Sequence, residues 1–267
     1  MNIVASLRSE ITKLTSTRLW WVLAVIMVGY VALCAGGLAA ILSGVGTQAG
    51  APVLSDAQLP PLIYSFATSV GYVFPVLLGA LAVTSEFRFQ SLTPTFLATP
   101  RRGTVLAGKM TALVLAGAMF GVLALVASMG AGAAVLGAFG IDPQLGSPDT
   151  WAFVGRSILA MALWAAIGVG LGALVPSQIA AIVIVLAFTQ FLEPLLRFGA
   201  SITDWSAAIG KFLPGAASDA LVGSSIFTLT SGGGTQLEWW QGALVLAAIA
   251  AVATAIGYFT SWRRDVS

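Results

Sequence analysis

The chain has 267 residues, of which 58% are hydrophobic and only 8% charged, with a net charge of +2. An ordinary soluble domain is roughly a quarter charged, so a chain this poor in charge must turn apolar surface toward lipid. It has no histidine and a single cysteine, Cys34, which excludes a Ser-His-Asp triad, a histidine-ligated metal centre and an internal disulfide.

The first eighteen residues, MNIVASLRSEITKLTSTR, form a separate element. Ile3, Val4, Leu7, Ile11 and Leu14 recur at helical spacing, while Arg8, Ser9, Glu10, Thr12 and Lys13 fall largely on the other face. The pattern predicts an amphipathic helix over 1–18 lying in the membrane interface, its cations toward anionic headgroups. A cleaved signal peptide fits poorly, because the basic region is too long and the apolar run too extended. A lipoprotein site at Cys34 fails on the bulky Leu33 before it.

A membrane helix needs about 20 apolar residues. Six segments qualify: 19–42, 62–84, 104–139, 151–174, 177–196 and 237–260. The first two are separated by a small, polar, proline-bearing stretch that reads as an exposed loop, and the third and fourth by the turn-rich GIDPQLGSPDT. Only Val175–Pro176–Ser177 divides the fourth from the fifth, and Pro176 forces a tight turn there. Residues 198–236 mix short apolar pieces with Asp204, Lys211, Pro214, Asp219 and three consecutive glycines. They read as an extracellular loop or as re-entrant half-helices.

Six spans return both termini to one side. Nine basic residues (Arg8, Lys13, Arg18, Arg88, Arg101, Arg102, Lys109, Arg263 and Arg264) fall on that side and three on the other; acids run the opposite way, three against seven. The basic bias predicts that both termini and the 85–103 segment are cytoplasmic.

That segment ends in a deceptive pattern. Gly103–Thr104–Val105–Leu106–Ala107–Gly108–Lys109 has the G-x-x-x-x-G-K frame of a phosphate loop. A phosphate loop needs Ser or Thr directly after the lysine to hold magnesium, and a preceding buried strand. Here Met110 follows, and the stretch runs from TPRR into a membrane span. A simpler reading puts Lys109 at the mouth of the third span, snorkelling to the interface. Upstream, EFRFQSLTPTFLATP is too polar to span and too apolar to float: Phe87, Phe89, Leu92, Phe96 and Leu97 alternate with Glu86, Arg88 and Gln90. Aromatic side chains at a loop face predict a docking element for a partner protein.

These residues resemble the loop between the second and third spans of the permease subunits of type-2 ABC exporters. Glu86 and Arg88, then Leu97, Pro100, Arg101 and Arg102, then Gly108 and Lys109 follow that family's order, and SLRSEITKLTSTRLWW resembles the opening of many actinobacterial members. Where the family often has Gly-Thr after the glutamate, this chain has Gln90–Ser91. The resemblance implies an all-α polytopic membrane protein with six transmembrane helices, an N-terminal elbow helix and a coupling helix within 85–103. It implies a bacterial plasma-membrane location and no catalysis by this chain. ATP and magnesium would bind in a separate ATPase subunit, two copies per complex, and a second permease chain, identical or homologous, would complete the pathway. Glu86, Phe87, Arg88, Phe89, Gln90, Leu92 and Phe96 would meet the ATPase, with Arg101, Arg102 and Lys109 at the cytoplasmic interface.

Elsewhere, Gly117-x-x-x-Gly121 and Gly168-x-x-x-Gly172 predict close helix packing within the chain. Glu193 and Arg197, four residues apart, predict a pair on one helix face near the outer end of the fifth span. Thr189 and Gln190 are among its few polar residues and are candidates for a substrate path. Scarce midplane charge favours an amphiphilic or apolar cargo, such as a drug, lipid or peptide-like molecule, over a strongly ionic one. Nothing predicts a nucleic-acid partner. The competing readings are an ion-coupled secondary transporter, which normally carries titratable midplane groups and inverted repeats, and a membrane enzyme, which needs a nucleophile and base within the bilayer.

Overall fold

The computed structural model describes residues 3–45, 55–91, 95, 102–200, 202–225 and 237–262. Among these residues the secondary structure is helical, and six helical segments are long and apolar enough to cross a membrane. Helix α1 (Ile3–Ser16) precedes the first span, α2 (Leu19–Val45). The second span is built in three pieces: α3 (Leu59–Tyr64), α4 (Phe66–Ser69) and α5 (Val73–Arg88). The third and fourth spans are α6 (Arg102–Ala138) and α7 (Pro148–Leu174). The fifth joins α8 (Gln178–Ala187), a π-helical turn (Phe188–Leu192) and α9 (Glu193–Ala200). Two short helices follow, α10 (Asp204–Gly210) and α11 (Pro214–Val222), and the last span, α12 (Trp239–Gly257), ends in a second π turn (Tyr258–Trp262).

The sequence sets these boundaries locally. The second span starts at Leu59, earlier than its apolar run predicts, because Pro60 and Pro61 occupy first-turn positions where a missing N–H costs nothing. The Ser147 hydroxyl accepts from the Asp149 amide and the Ser177 hydroxyl from the Ala180 amide, so both helices flanking Pro176 begin on serine caps. The region expected as a loop or half-helices contains α10 and α11; Thr203 and Ser206 cap α10 reciprocally, and α11 closes on Gly223 at φ 91.

Helix α7 is the hub, packing on α5, α6 and α12. Its most apolar window is 67% buried, against 22% for the first, fifth and sixth spans, whose remaining surface is apolar. Lipid provides no hydrophobic drive between helices, so contact comes from close approach of small residues. A Cβ added to Gly117 would lie 2.6 Å from the Ala165 Cβ, and one on Gly121 would lie 3.1 Å from the Ile158 Cα, both on α7. Gly168 presses against the Val76 carbonyl of α5, and a Cβ on Gly172 would sit 2.7 Å from the Ala80 oxygen. The two glycine patches are therefore the seams of α7 with α6 and α5.

Replacing Gly168 by Leu is expected to destabilise the chain by about 1–3 kcal/mol or more, since it drives a side chain into fixed backbone. Gly130→Ala, where nothing lies within 4 Å, should keep stability or raise it slightly. Thermal unfolding in detergent, followed by size-exclusion chromatography, separates the two.

Candidate functional site

At the end of the bundle where α1 lies, four charged side chains meet. Ser6, Glu10 and Lys13 recur at intervals of four and three, which places them on one stripe of α1. That stripe faces α6. The Ser6 hydroxyl donates to the Thr104 carbonyl at 3.4 Å, and a Cβ on Gly108 would fall 2.9 Å from the Ser6 Cβ. Only glycine at 108 lets α1 lie so close.

This approach delivers Glu10 to Lys109. The Lys109 ammonium donates to Glu10 Oε2 and lies 3.1 Å from Glu86 Oε1. Lys13 completes the set, donating to Glu10 Oε1 at 2.7 Å and to Glu86 Oε1 at 2.8 Å. Lys109 is 2% exposed, Glu10 and Glu86 are also buried, and Lys13 is half-buried. The cluster holds two carboxylates and two ammoniums, drawn from α1, α5 and α6.

Two expectations are corrected here. Lys109 does not snorkel; it is enclosed and paired. Glu10 and Lys13 do not face headgroups, because the stripe they share is turned into the protein. Val4, 67% exposed, and Ile11 point away from the bundle instead. The G-x-x-x-x-G-K frame lies in the first two turns of the continuous helix α6, so it does not form the loop that wraps a phosphate.

Burial alone would push the Glu10 carboxyl up, but the Lys109 and Lys13 ammoniums overcome it and hold the group below its usual range. Burial likewise pulls Lys13 down, and Glu86 with Glu10 more than reverses this, leaving it raised. A buried ion cluster adds little net stability over a packed apolar core, but removing one partner strands the others, at about 3–5 kcal/mol. Its value is to fix which faces of three helices meet.

The predicted docking residues divide into two sets. Glu86 belongs to the buried cluster, and Phe87 packs edge-on against Trp262, centroids 5.9 Å apart. Arg88 donates to the Gln178 side chain at 3.0 Å and lies over the Phe89 ring. Phe89 is 71% exposed and Gln90 is also exposed. The α5 terminus is a Schellman cap: the Ser91 amide donates to the Glu86 carbonyl at 3.1 Å and the Gln90 amide to the Phe87 carbonyl at 3.3 Å. Gln90 takes φ 52 there, a position that favours glycine. Leu92, Phe96 and Arg101 lie outside the described residues, as do Leu97 and Pro100. Beyond them, Arg102 Nη1 donates to the Trp262 carbonyl at 3.3 Å, and the Trp262 indole donates back to the Arg102 carbonyl at 3.2 Å.

Thr189 and Gln190 sit in the π turn at the far end of α5, lining a cavity of about 280 Å³ that also holds Tyr72, Glu193, Arg197 and Asp219. The expected Glu193–Arg197 pair forms at 3.3 Å. Arg197 also reaches Asp219 at 2.6 Å, a partner the sequence hides 22 residues away in an apparent loop.

Lys109→Met should cost about 3–5 kcal/mol by stranding Glu10 and Glu86, and Glu10→Met combined with it should recover most of that loss; thermal melts of both variants in nanodiscs test this. The cluster also sets a pH window. Glu10, depressed, contributes fully above its unfolded value of 4.5 and loses its contribution as pH falls below that. Lys13, raised, contributes fully below 10.5 and loses its contribution as pH climbs past its folded value. The protection of amides 3–16 against hydrogen exchange, taken relative to the intrinsic rate at each pH, should fall only outside those limits.

No protein-family model matches the chain, and no curated protein matches it.

Proposed function

We propose that the chain is the membrane-spanning permease subunit of an ATP-driven exporter, with ATP bound and hydrolysed by a separate subunit. The observation that carries this reading is the exposed Phe89 at the end of the second span, on a base tied to neighbouring helices. Glu86, three residues before it, is fixed to α1 and α6 through Lys13 and Lys109. Phe87 is fixed to the last span through Trp262. A force applied at Phe89 is thereby passed through α5 to three other elements: α1, α6 and the last span. An aromatic anchor on a rigid base suits a partner's apolar cleft, and the resemblance of the 85–109 motif to type-2 ABC permeases names that partner as an ATPase.

In this reading two copies of the ATPase close on ATP and press on the segment that begins at Phe89. The pressed segment tilts α5 and, through the glycine seams, α7. Two permease chains pair around the path, in a bacterial plasma membrane with both termini in the cytoplasm. The cargo is an amphiphile, moved outward.

Phe89→Asp tests the reading directly. The variant is expected to insert and fold like the parent, because Phe89 contacts little of its own chain, and to lose a co-purifying ATPase subunit. Recovery of the ATPase at parental yield with Phe89→Asp, or stable, transport-competent protein with no ATPase, contradicts it.

A further inference from the structure

Several donors on the polar walls of the cavity around the fifth span are already engaged. The Tyr72 hydroxyl donates to the Thr189 carbonyl at 3.2 Å, the Thr189 hydroxyl to the Val185 carbonyl at 2.7 Å, and the Gln190 amide to Thr189 Oγ1 at 3.4 Å. The Trp164 indole behind Tyr72 donates to Ser218 at 3.0 Å. Arg197 is turned onto Glu193 and Asp219.

The acceptors are in the opposite condition. Glu193 is 2% exposed. Its Oε1 takes the Gly215 amide and the Arg197 guanidinium, but its Oε2 has no hydrogen-bond partner among the described residues. Ser69 Oγ, on the same cavity, is also buried without a partner. A buried carboxylate oxygen left without a donor costs about 1–3 kcal/mol or more. Two acidic side chains and one guanidinium line the space, a formal excess of one acid over base.

The remaining walls are aromatic and apolar: Phe66, Val70, Pro194 and Tyr72, with the Tyr72 ring tilted on Trp164 at 4.4 Å between centroids. Aromatic faces attract cations most strongly where water is excluded. The π turn, a feature found often at functional sites, widens the helix where Thr189 and Gln190 reach the cavity.

We propose that this cavity binds the protonated amine of a small cationic amphiphile, with the ammonium on Glu193 Oε2 and Ser69 Oγ and its apolar part against Phe66 and Tyr72. An ammonium supplies the missing donors and the missing charge together. A carboxylate or phosphate would face Glu193 and Asp219 at short range, and a plain alcohol would leave the charge excess unchanged. The volume suits an amine with a short chain or one ring, not a large polycyclic molecule. Binding belongs to this chain alone; that the amine is also the cargo rests on the exporter reading.

The test uses the full chain in nanodiscs of zwitterionic lipid, with radiolabelled octylamine, octanol and octanoate at neutral pH, where octylamine is protonated. Octylamine should bind saturably, with octanol and octanoate at least about tenfold weaker, as loss of a charge-assisted hydrogen bond predicts. Glu193→Gln should weaken octylamine by about tenfold or more and bring it close to octanol. Glu193 also holds Gly215 and Arg197, so Ser69→Ala, which removes no partnered group, is measured beside it and should weaken octylamine by several-fold. Absence of saturable octylamine binding, equal affinity for octanol, or parental affinity in Ser69→Ala overturns the proposal. None of these measurements involves an ATPase, so its failure and the failure of the exporter reading are separate results.

Discussion

Everything at the α1 end of the bundle depends on one constraint: four charges that cannot be left alone in a poorly solvated place. Glu10 and Lys13 come from α1, Glu86 from α5 and Lys109 from α6. No one helix carries its own neutralising set in reach of Lys109. The arrangement is satisfied only when α1 lies against α6 with Ser6 on Gly108, and when the end of α5 is drawn to the same point. Apolar faces in lipid gain no hydrophobic drive from meeting, so they hold a register only through close packing. An ion cluster permits one register, which is the role best attested for buried charge.

The connection between the second and third spans is held at both of its roots. Glu86 fixes its start, while Arg102, locked to Trp262, and Lys109 fix its end. Helix α5 runs from this cluster toward the cavity, where Tyr72, its N-terminal neighbour, touches Thr189. Its sixteen residues span about 24 Å. Gly79 and Gly172 press α5 and α7 backbone to backbone along that length. One stiff helix thus joins two polar clusters at opposite ends of the bundle. In the proposed function that helix is the part through which a push at Phe89 reaches the cavity.

Much of the fold was legible because charge and proline interrupt the apolar runs. Each expected span corresponds to a long apolar helical segment in the structure, the second and fifth built in pieces, with ends displaced by a few residues where Pro60, Ser147 or Ser177 sets a cap. The clusters were not legible. Lys109 and Glu10 are separated by 99 residues, and hydropathy treats a lysine at a span mouth as solvated whether or not an acid waits there. The signal that existed was the stripe Ser6, Glu10 and Lys13 on α1, a polar line too regular for a headgroup-facing surface. Asp219 read as one of the residues interrupting the short apolar pieces of 198–236, though it completes the Arg197 site. Neither π turn leaves a trace in composition. At Gln90 the sequence carried the clue in reverse: the resembled family has Gly-Thr where this chain has Gln90–Ser91, and the structure puts Gln90 in the left-handed conformation that glycine adopts most readily.

The central claim is that α1 and the start of α6 form one rigid body through the ion cluster. Spin labels on the exposed Ser9 and Thr111, in a Cys34→Ser background in lipid nanodiscs, measure it by pulsed electron resonance. The account predicts one narrow distance distribution that broadens when Lys109 is replaced by Met. A broad or two-peaked distribution in the parent chain would mean that α1 leaves α6 in the membrane, and would contradict it.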